Sequence, residues 1–231
     1  GRPESWVEER AHQLYGAWRE RVPPIEESTL ASPGQVELHL SVVAPSEAEG
    51  HAALQRAVDE LLAVFEGEVF STDGRSLEEV VGDLLRRRGW RVALAESCTG
   101  GLACSRLTDV PGSSDYVERG FVTYSNRAKT ELLGVGEELF AAHGAVSEAV
   151  AEAMAAGARA RADVEIAVGI TGIAGPGGGS REKPVGTVAI AVAWPGGGCV
   201  ERYRFTGDRQ AVKFQASQAA LTLLRKRLEQ V

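Results

Sequence analysis

The sequence predicts an α/β protein: a three-layer domain with a mixed sheet between helices, preceded by a small α+β domain. Three observations predict it. Apolar runs of strand length alternate with helical patterns along most of the chain. Two strand-like runs that flank Pro195 to Gly198 indicate a hairpin, and therefore antiparallel pairing beside the parallel strands. Residues 1–75 contain 6 basic and 14 acidic residues, whereas residues 76–231 contain 19 and 18, so we expect a domain boundary near residue 75.

The small α+β domain is expected over residues 1–75. Helical spacing of apolar residues, alternation of apolar and polar residues, and the stop signal of two prolines mark its elements. The predicted elements are a helix over 4–21, a strand over 36–42, a helix capped by Ser46 and a short strand over 65–70.

The three-layer domain is expected over residues 76–231. Ser76 and Glu79 have the spacing of a capping box, and Gly89 is placed to end the helix that follows. The further helices are predicted over 100–108, 126–133, 147–161 and 208–229, and the strands over 91–96, 121–124, 164–170, 185–194 and 199–205.

Composition excludes several classes of protein. The net charge is −7, and no apolar run approaches the ~18 residues that a membrane span requires, so we expect a soluble protein. The acidic first domain makes nucleic acid an improbable partner, because phosphate binding requires a basic face. Three cysteines without metal-ligand spacing predict free thiols in the cytoplasm and no metal site. The absence of an initial Met indicates a fragment of a longer protein.

An abrupt end to an apolar run makes Ser97 the first candidate for chemistry. Open α/β sheets bind ligands at the carboxyl ends of their strands, and the run from Val92 ends at Glu96 and Ser97. The turn that follows, Cys98 to Gly101, has backbone amides that favour an anion or an oxyanion. The alternative is that Ser97 only caps the helix over 100–108. The segment has neither the hydrolase elbow motif nor a histidine partner.

Lys129 is the candidate base for such a serine, because a buried neutral lysine can accept a proton. It lies about one turn into the helix that follows Tyr124, so both side chains could face one cleft. The alternatives are a solvated lysine on a helix surface and, for Asn126, a helix cap.

The second glycine-rich strand exit covers residues 172–179. Its spacing fits neither a nucleotide-triphosphate loop nor the dinucleotide fingerprint, and the alternative is a flexible connection. Lys183 beside this loop suits a phosphate, and Arg209 at the start of the last helix could bind an anion.

Taken together, these segments closely resemble the CinA C-terminal domain family, whose members are nicotinamide-nucleotide amidohydrolases, also called NMN deamidases. The resemblance covers residues 76–231, with the motifs in order and correctly spaced. Residues 1–75 show a weaker resemblance to the KH-like middle domain of full-length CinA. The matching segments are Ala95 to Gly101, Val122 to Asn126 with Lys129, Gly169 to Gly178, Lys183 to Thr187 and Gly207 to Arg209.

The resemblance implies hydrolysis of the carboxamide of nicotinamide mononucleotide to nicotinate mononucleotide and ammonia, without metal or cofactor. It implies that Ser97 is the nucleophile, Lys129 its base and Tyr124 an assisting residue. It also implies a homodimer, and an amino-terminal CinA domain outside this fragment. Lys213 stands where the family often has arginine, which leaves its role open. The implied substrate-binding residues are Cys98, Thr99, Gly100, Gly101, Asn126, Thr171, Gly172, Gly175 and Arg209.

Two other functions are compatible with the sequence. One is a non-catalytic regulatory or partner-binding module of a competence/damage-inducible protein. The other is an amidase that acts on a different nucleotide or amide.

Overall fold

The structure is a computed structural model that describes residues 2–32 and 34–230. The chain divides into two compact units, Gly1–Arg75 and Ser76–Val231. Among the described residues, no helix is both long and apolar enough to cross a membrane.

The first unit packs two helices on a two-stranded antiparallel sheet. Its core joins the apolar faces of both helices with the inward side chains of the sheet, and Trp18 and Ile25 are fully buried there. Ser46 caps the second helix by accepting a hydrogen bond from the Glu49 amide, as predicted. The elements are α1 (Glu4–Arg19), β1 (Ile25–Ser32), β2 (Gln35–Val42) and α2 (Glu47–Phe65).

Two features of this unit differ from the prediction. Strand β1 was not predicted, because two of its partly buried positions are polar: Glu27, which pairs with Arg19, and Thr29, which donates a hydrogen bond to Glu8. The predicted strand over 65–70 is wrong. Phe65 ends α2, and the residues that follow form a turn and an irregular segment.

The second unit is built on the predicted mixed sheet between helices. The sheet order is β4-β3-β5-β6-β7; β3 pairs in parallel with β4 and β5, whereas β6 pairs antiparallel with β5 and β7. The elements are α3 (Leu77–Arg88), β3 (Val92–Glu96), α4 (Leu102–Thr108), a 3-10 turn (Ser113–Asp115), β4 (Val117–Val122), α5 (Asn126–Leu133), α6 (Glu137–His143), α7 (Glu148–Ala162), β5 (Ile166–Gly172), β6 (Thr187–Trp194), β7 (Gly197–Arg204) and α8 (Arg209–Gln230).

Helix α7 lies unusually close to the sheet because small residues face it. A Cβ atom on Gly169 would lie 2.3 Å from the Ala151 carbonyl oxygen, so only glycine fits there. Helices α5 and α6 pack beside α7, and α3, α4 and α8 form a second group of packed helices. The sheet therefore has almost no exposed face along its central strands, which explains why β3 and most of β5 are buried throughout.

Local signals at the helix ends were largely read correctly. Ser76 and Glu79 form the capping box of α3, and Gly89 ends that helix in a left-handed conformation at φ 63°. Helix α6 is not among the predicted elements; it is seven residues long, and its cap position, Gly136, offers no side-chain cap. The hairpin between β6 and β7 is tighter than predicted, because Gly197 already belongs to β7.

The register of the parallel strands determines where the loops meet. Glu96 at the end of β3 lies opposite Val122 of β4 and Ile170 of β5. Since parallel strands point the same way, the segments after all three strands emerge at one edge of the sheet. That edge brings together the serine turn, the residues after β4 and the first glycines of the glycine-rich loop.

Candidate active site

Ser97 is held in the tight turn between β3 and α4. Its backbone N–H donates to the Ile170 carbonyl on β5 at 3.0 Å, and its side chain is 8% exposed. It does not cap a helix, because α4 begins only at Leu102 and its cap residue, Gly101, has no side chain. The serine hydroxyl is therefore available for another role.

The side chain of Lys129 contacts the Ser97 hydroxyl. Its Nζ atom lies 3.0 Å from Ser97 Oγ and 2.9 Å from the Thr123 carbonyl oxygen, and the residue is only 2% exposed. The alternative of a solvated surface lysine is therefore wrong. Ser125, not Asn126, caps α5 by accepting from the Ala128 amide, and Asn126 is exposed at the first helical position.

Burial makes the neutral form of Lys129 easier to reach. Loss of solvation lowers the pKa of its ammonium group below the ordinary 10.5, with a smaller opposing effect of Cys98. In the structure Nζ donates to Ser97 Oγ at 3.0 Å and to the carbonyl groups of Thr123 and Tyr124 at 2.9 and 3.5 Å. When the amine is neutral, its lone pair replaces one donor and can accept the hydroxyl proton of Ser97. The pair can thus pass a proton from serine to lysine.

Tyr124 lies at the rim of the site rather than beside the serine. Its side chain is 63% exposed, and its hydroxyl accepts a hydrogen bond from Arg209 at 2.8 Å. The second terminal nitrogen of Arg209 donates to the Gly175 carbonyl, also at 2.8 Å. In the described part of the chain no hydrogen bond links the Tyr124 hydroxyl to Ser97 or Lys129. The structure thus connects Tyr124, Arg209 and the glycine-rich loop.

Three of the predicted substrate-binding residues, Thr171, Gly172 and Cys98, make contacts within the protein. Thr171 is buried and donates to the Ala145 carbonyl at 2.8 Å. A Cβ atom on Gly172 would lie 3.0 Å from Cys98 Sγ, so this glycine gives Cys98 its space. Burial raises the pKa of the Cys98 thiol to about 12, which keeps the thiol protonated.

The amides of the serine turn are not all free, contrary to expectation. The N–H groups of Gly101, Ala103 and Cys104 donate to the buried carboxylate of Glu96, at 3.0, 3.1 and 2.8 Å. The Gly100 amide donates to the Ser97 carbonyl at 3.2 Å. The amides of Cys98 and Thr99 are instead directed at the thiol of Cys98. Glu96 was missed as a site residue, although a carboxylate at the end of an apolar strand is a recognisable signal.

Two further lysines near the site, Lys183 and Lys213, differ in whether their ammonium groups already donate a hydrogen bond within the protein. Lys183 donates to the His143 carbonyl at 2.5 Å, so its charge faces the end of α6 instead of the glycine-rich loop. Lys213, in the second turn of α8, has its Nζ atom 3.7 Å from the position that a Cβ atom on Gly100 would occupy. No hydrogen bond to Lys213 Nζ is present in the described ranges. This lysine is therefore free to meet a ligand beside the serine turn.

The second unit is thus an α/β domain with a buried serine–lysine pair at the carboxyl edge of its mixed sheet. The comparison with protein families matches residues 74–228 to the CinA C-terminal domain, which is two thirds of the chain. The chain therefore belongs to the CinA family.

Named relatives agree with this assignment. A CinA-like protein of Syntrophobacter fumaroxidans is 54% identical over 186 residues, which cover 80% of this chain and 44% of that protein. A putative competence-damage inducible protein of Moorella thermoacetica is 46% identical over 96% of this chain and 52% of its own length. The chain spans about half the length of these relatives.

Solved structures match about two thirds of the chain. A CinA superfamily protein of Klebsiella pneumoniae is 39% identical, with a TM-score of 0.65, over 68% of this chain and all of that chain. The competence/damage inducible protein CihA of Agrobacterium tumefaciens is 42% identical, with the same TM-score, over 71% of this chain and 99% of its own. These likenesses establish the fold and the family.

Proposed function

We propose that this chain hydrolyses the carboxamide of nicotinamide mononucleotide to nicotinate mononucleotide and ammonia. The observation that supports the proposal most directly is the buried contact of 3.0 Å between Lys129 Nζ and Ser97 Oγ. The substrate comes from the family resemblance of the motifs around these two residues. Covalent catalysis by a serine requires a base within hydrogen-bond reach, and Lys129 satisfies that geometry.

The first half of the proposed reaction forms an acyl-enzyme. Ser97 Oγ bonds to the carboxamide carbon while its proton moves to the neutral Nζ of Lys129. The carbonyl π electrons move to oxygen and form a tetrahedral oxyanion. When that intermediate collapses, the C–N bond breaks and Lys129 returns the proton to the departing nitrogen, which leaves as ammonia.

The second half returns the enzyme to its starting state. A water molecule gives a proton to Lys129, and its oxygen bonds to the acyl carbon. Collapse breaks the ester bond to Ser97 Oγ, which recovers the proton from Lys129. Nicotinate mononucleotide leaves as the carboxylic acid, which then releases its proton to solvent to give the carboxylate, so atoms and protons balance over the cycle.

Electrostatic support for the oxyanion comes from the serine turn. Backbone N–H groups aimed at a developing oxyanion typically contribute ~10²–10³ in rate. The amides of Cys98 and Thr99 are the candidates, because Glu96 engages those at the start of α4. An oxyanion would take the place of the Cys98 thiol, at which these two amides are directed.

Ammonia release from nicotinamide mononucleotide tests the proposal, with Ser97→Ala as the decisive variant. We expect wild-type turnover and a loss on the order of 10³-fold or more in the variant, with substrate binding retained. Ser105→Ala, an exposed serine on α4, is the matched control and should keep full activity. Near-normal turnover of Ser97→Ala would reject the mechanism. Comparison with free nicotinamide and NAD separates this reaction from an amidase for another substrate.

A further inference from the structure

Glu96 occupies an unusual position for a buried carboxylate. It is the last residue of β3, it is 1% exposed, and both of its carboxylate oxygens accept hydrogen bonds from the first turn of α4. Helix starts have unpaired N–H groups and a partial positive charge. Those groups are usually satisfied by a side chain at the cap position, which here is Gly101. Here Glu96 accepts hydrogen bonds from these groups instead, from its position at the end of β3.

The main chain of Glu96 reaches the other half of the catalytic pair. Its carbonyl accepts a hydrogen bond of 2.8 Å from the Thr123 amide, and the Thr123 carbonyl in turn accepts from Lys129 Nζ at 2.9 Å. Glu96 is also bonded covalently to Ser97. One residue thus connects the nucleophile, the segment that holds the base, and the helix start.

The carboxylate also excludes a second anion from the start of α4. A helix start is a ready anion site, but Glu96 already fills this one with its own negative charge. A second negative charge on the same amides would be repelled. The amides of Cys98 and Thr99, earlier in the turn, are not engaged by Glu96 and are directed at the Cys98 thiol.

We propose that Glu96 is a positioning residue: its carboxylate clamps the start of α4 and thereby fixes the serine turn that presents Ser97 Oγ to Lys129. This inference rests on the proposed function for its catalytic meaning. The three hydrogen bonds from the backbone amides to the Glu96 carboxylate do not depend on the proposed function.

Glu96→Gln and Glu96→Asp test the clamp in the full chain. Glutamine keeps the size, but it places an N–H₂ donor against at least one backbone N–H. Aspartate keeps the charge but is one methylene shorter, so it cannot reach all three amides. Glu78→Gln is the matched control, because Glu78 pairs with Arg106 of α4 at 2.6 Å and thus also anchors this helix, away from the turn.

Two readouts apply, beside circular dichroism to verify folding. The first is the rate at which a serine-reactive fluorophosphonate labels Ser97, measured by mass spectrometry without nucleotide. We expect labelling to slow about 100-fold in both Glu96 variants, the size of effect that misplacement of reacting groups by about 1 Å produces. The control should stay within about twofold. The second is hydrogen exchange of the Gly101, Ala103 and Cys104 amides, which should lose protection only in the Glu96 variants.

The outcomes separate the two proposals. Equal labelling of wild type and Glu96→Gln, or an equal loss in Glu78→Gln, would overturn the positioning role. If one Glu96 variant fails to fold, the other decides. Absence of Ser97 labelling in the wild type, with the three amides protected, would reject the nucleophile and thus the proposed function, while leaving the clamp intact.

Discussion

Arg209 donates a hydrogen bond of 2.8 Å to the hydroxyl of Tyr124, across 85 residues of sequence. The contact joins the start of α8 to the segment that follows β4. It lies at the exposed rim of the site, whereas Ser97 and Lys129 are buried. The site thus has a buried serine–lysine pair and a polar rim, and we predict different effects for substitutions in the two parts.

The Tyr124–Arg209 pair is expected to act as a unit in substrate binding. Tyr124→Phe and Arg209→Gln should each raise KM severalfold, because an exposed charged hydrogen bond contributes on the order of 1 kcal/mol. The double variant should be little worse than either single one, since both remove the same contact. Steady-state kinetics of the four proteins measure this coupling. Additive effects on KM would show that the two side chains act independently.

Lys129 should impose an acidic limb on the pH dependence of kcat/KM. Only the neutral amine accepts the serine proton, and burial lowers the pKa of this lysine below 10.5. Activity should therefore rise with pH through a midpoint below 10.5. Lys129→Ala should lose ~10²–10⁴ in rate, and Lys129→Arg should not restore it, because guanidinium stays charged. Arg127→Ala, exposed on the same helix, is the control. An active arginine variant would contradict the role of base.

The same buried lysine should leave a signature in stability. The folded state binds the Lys129 proton more weakly than the unfolded chain does, so the free energy of unfolding rises with pH between the lowered pKa and 10.5. Lys129→Met lacks this group. The stability of wild type relative to that variant should increase with pH across this window and level off above it. Urea unfolding at several pH values measures the difference, and a constant difference would refute the prediction.

Lys213 is predicted to contact the phosphate of the nucleotide. Lys213→Ala should raise KM for nicotinamide mononucleotide about tenfold, while leaving the riboside, which lacks the phosphate, unaffected. Lys183→Ala should change neither value beyond about twofold, because Lys183 is bonded to the His143 carbonyl. Kinetics with both substrates at two salt concentrations test this, since a charge contact weakens with salt. Equal effects of the two variants would show that the assignment is wrong.

The second unit should fold and act without the first. The chain divides at Arg75 and Ser76, and all proposed catalytic and binding residues lie beyond that point. Residues 76–231 should therefore give a helical circular dichroism spectrum and release ammonia at a rate similar to that of the whole chain. A folded but inactive fragment would mean that residues 1–75 complete the site. An insoluble fragment would contradict the independence of the two units.

Local signals in the sequence were sufficient for much of the fold. The capping box at Ser76, the stop at Gly89 and the hairpin after Trp194 depend on neighbouring residues, so they can be read directly. Strand β1 could not be read, because its partly buried Glu27 and Thr29 are satisfied by side chains on α1. Polar residues at such positions conceal the alternation that identifies a half-buried strand.

For the site, the sequence by itself determined which residue types follow each strand, and the resemblance of these motifs to the CinA family singled out Ser97, Lys129, Tyr124 and Arg209. Only the tertiary structure decided which of these residues form the buried pair and which lie at the exposed rim. It buried Lys129 against Ser97, turned Tyr124 outward to Arg209, and directed the Glu96 carboxylate to the amides of α4. These outcomes depend on strand register and helix packing, which join segments far apart in the chain. Spacing along one segment contains no information about which distant group its side chains will meet.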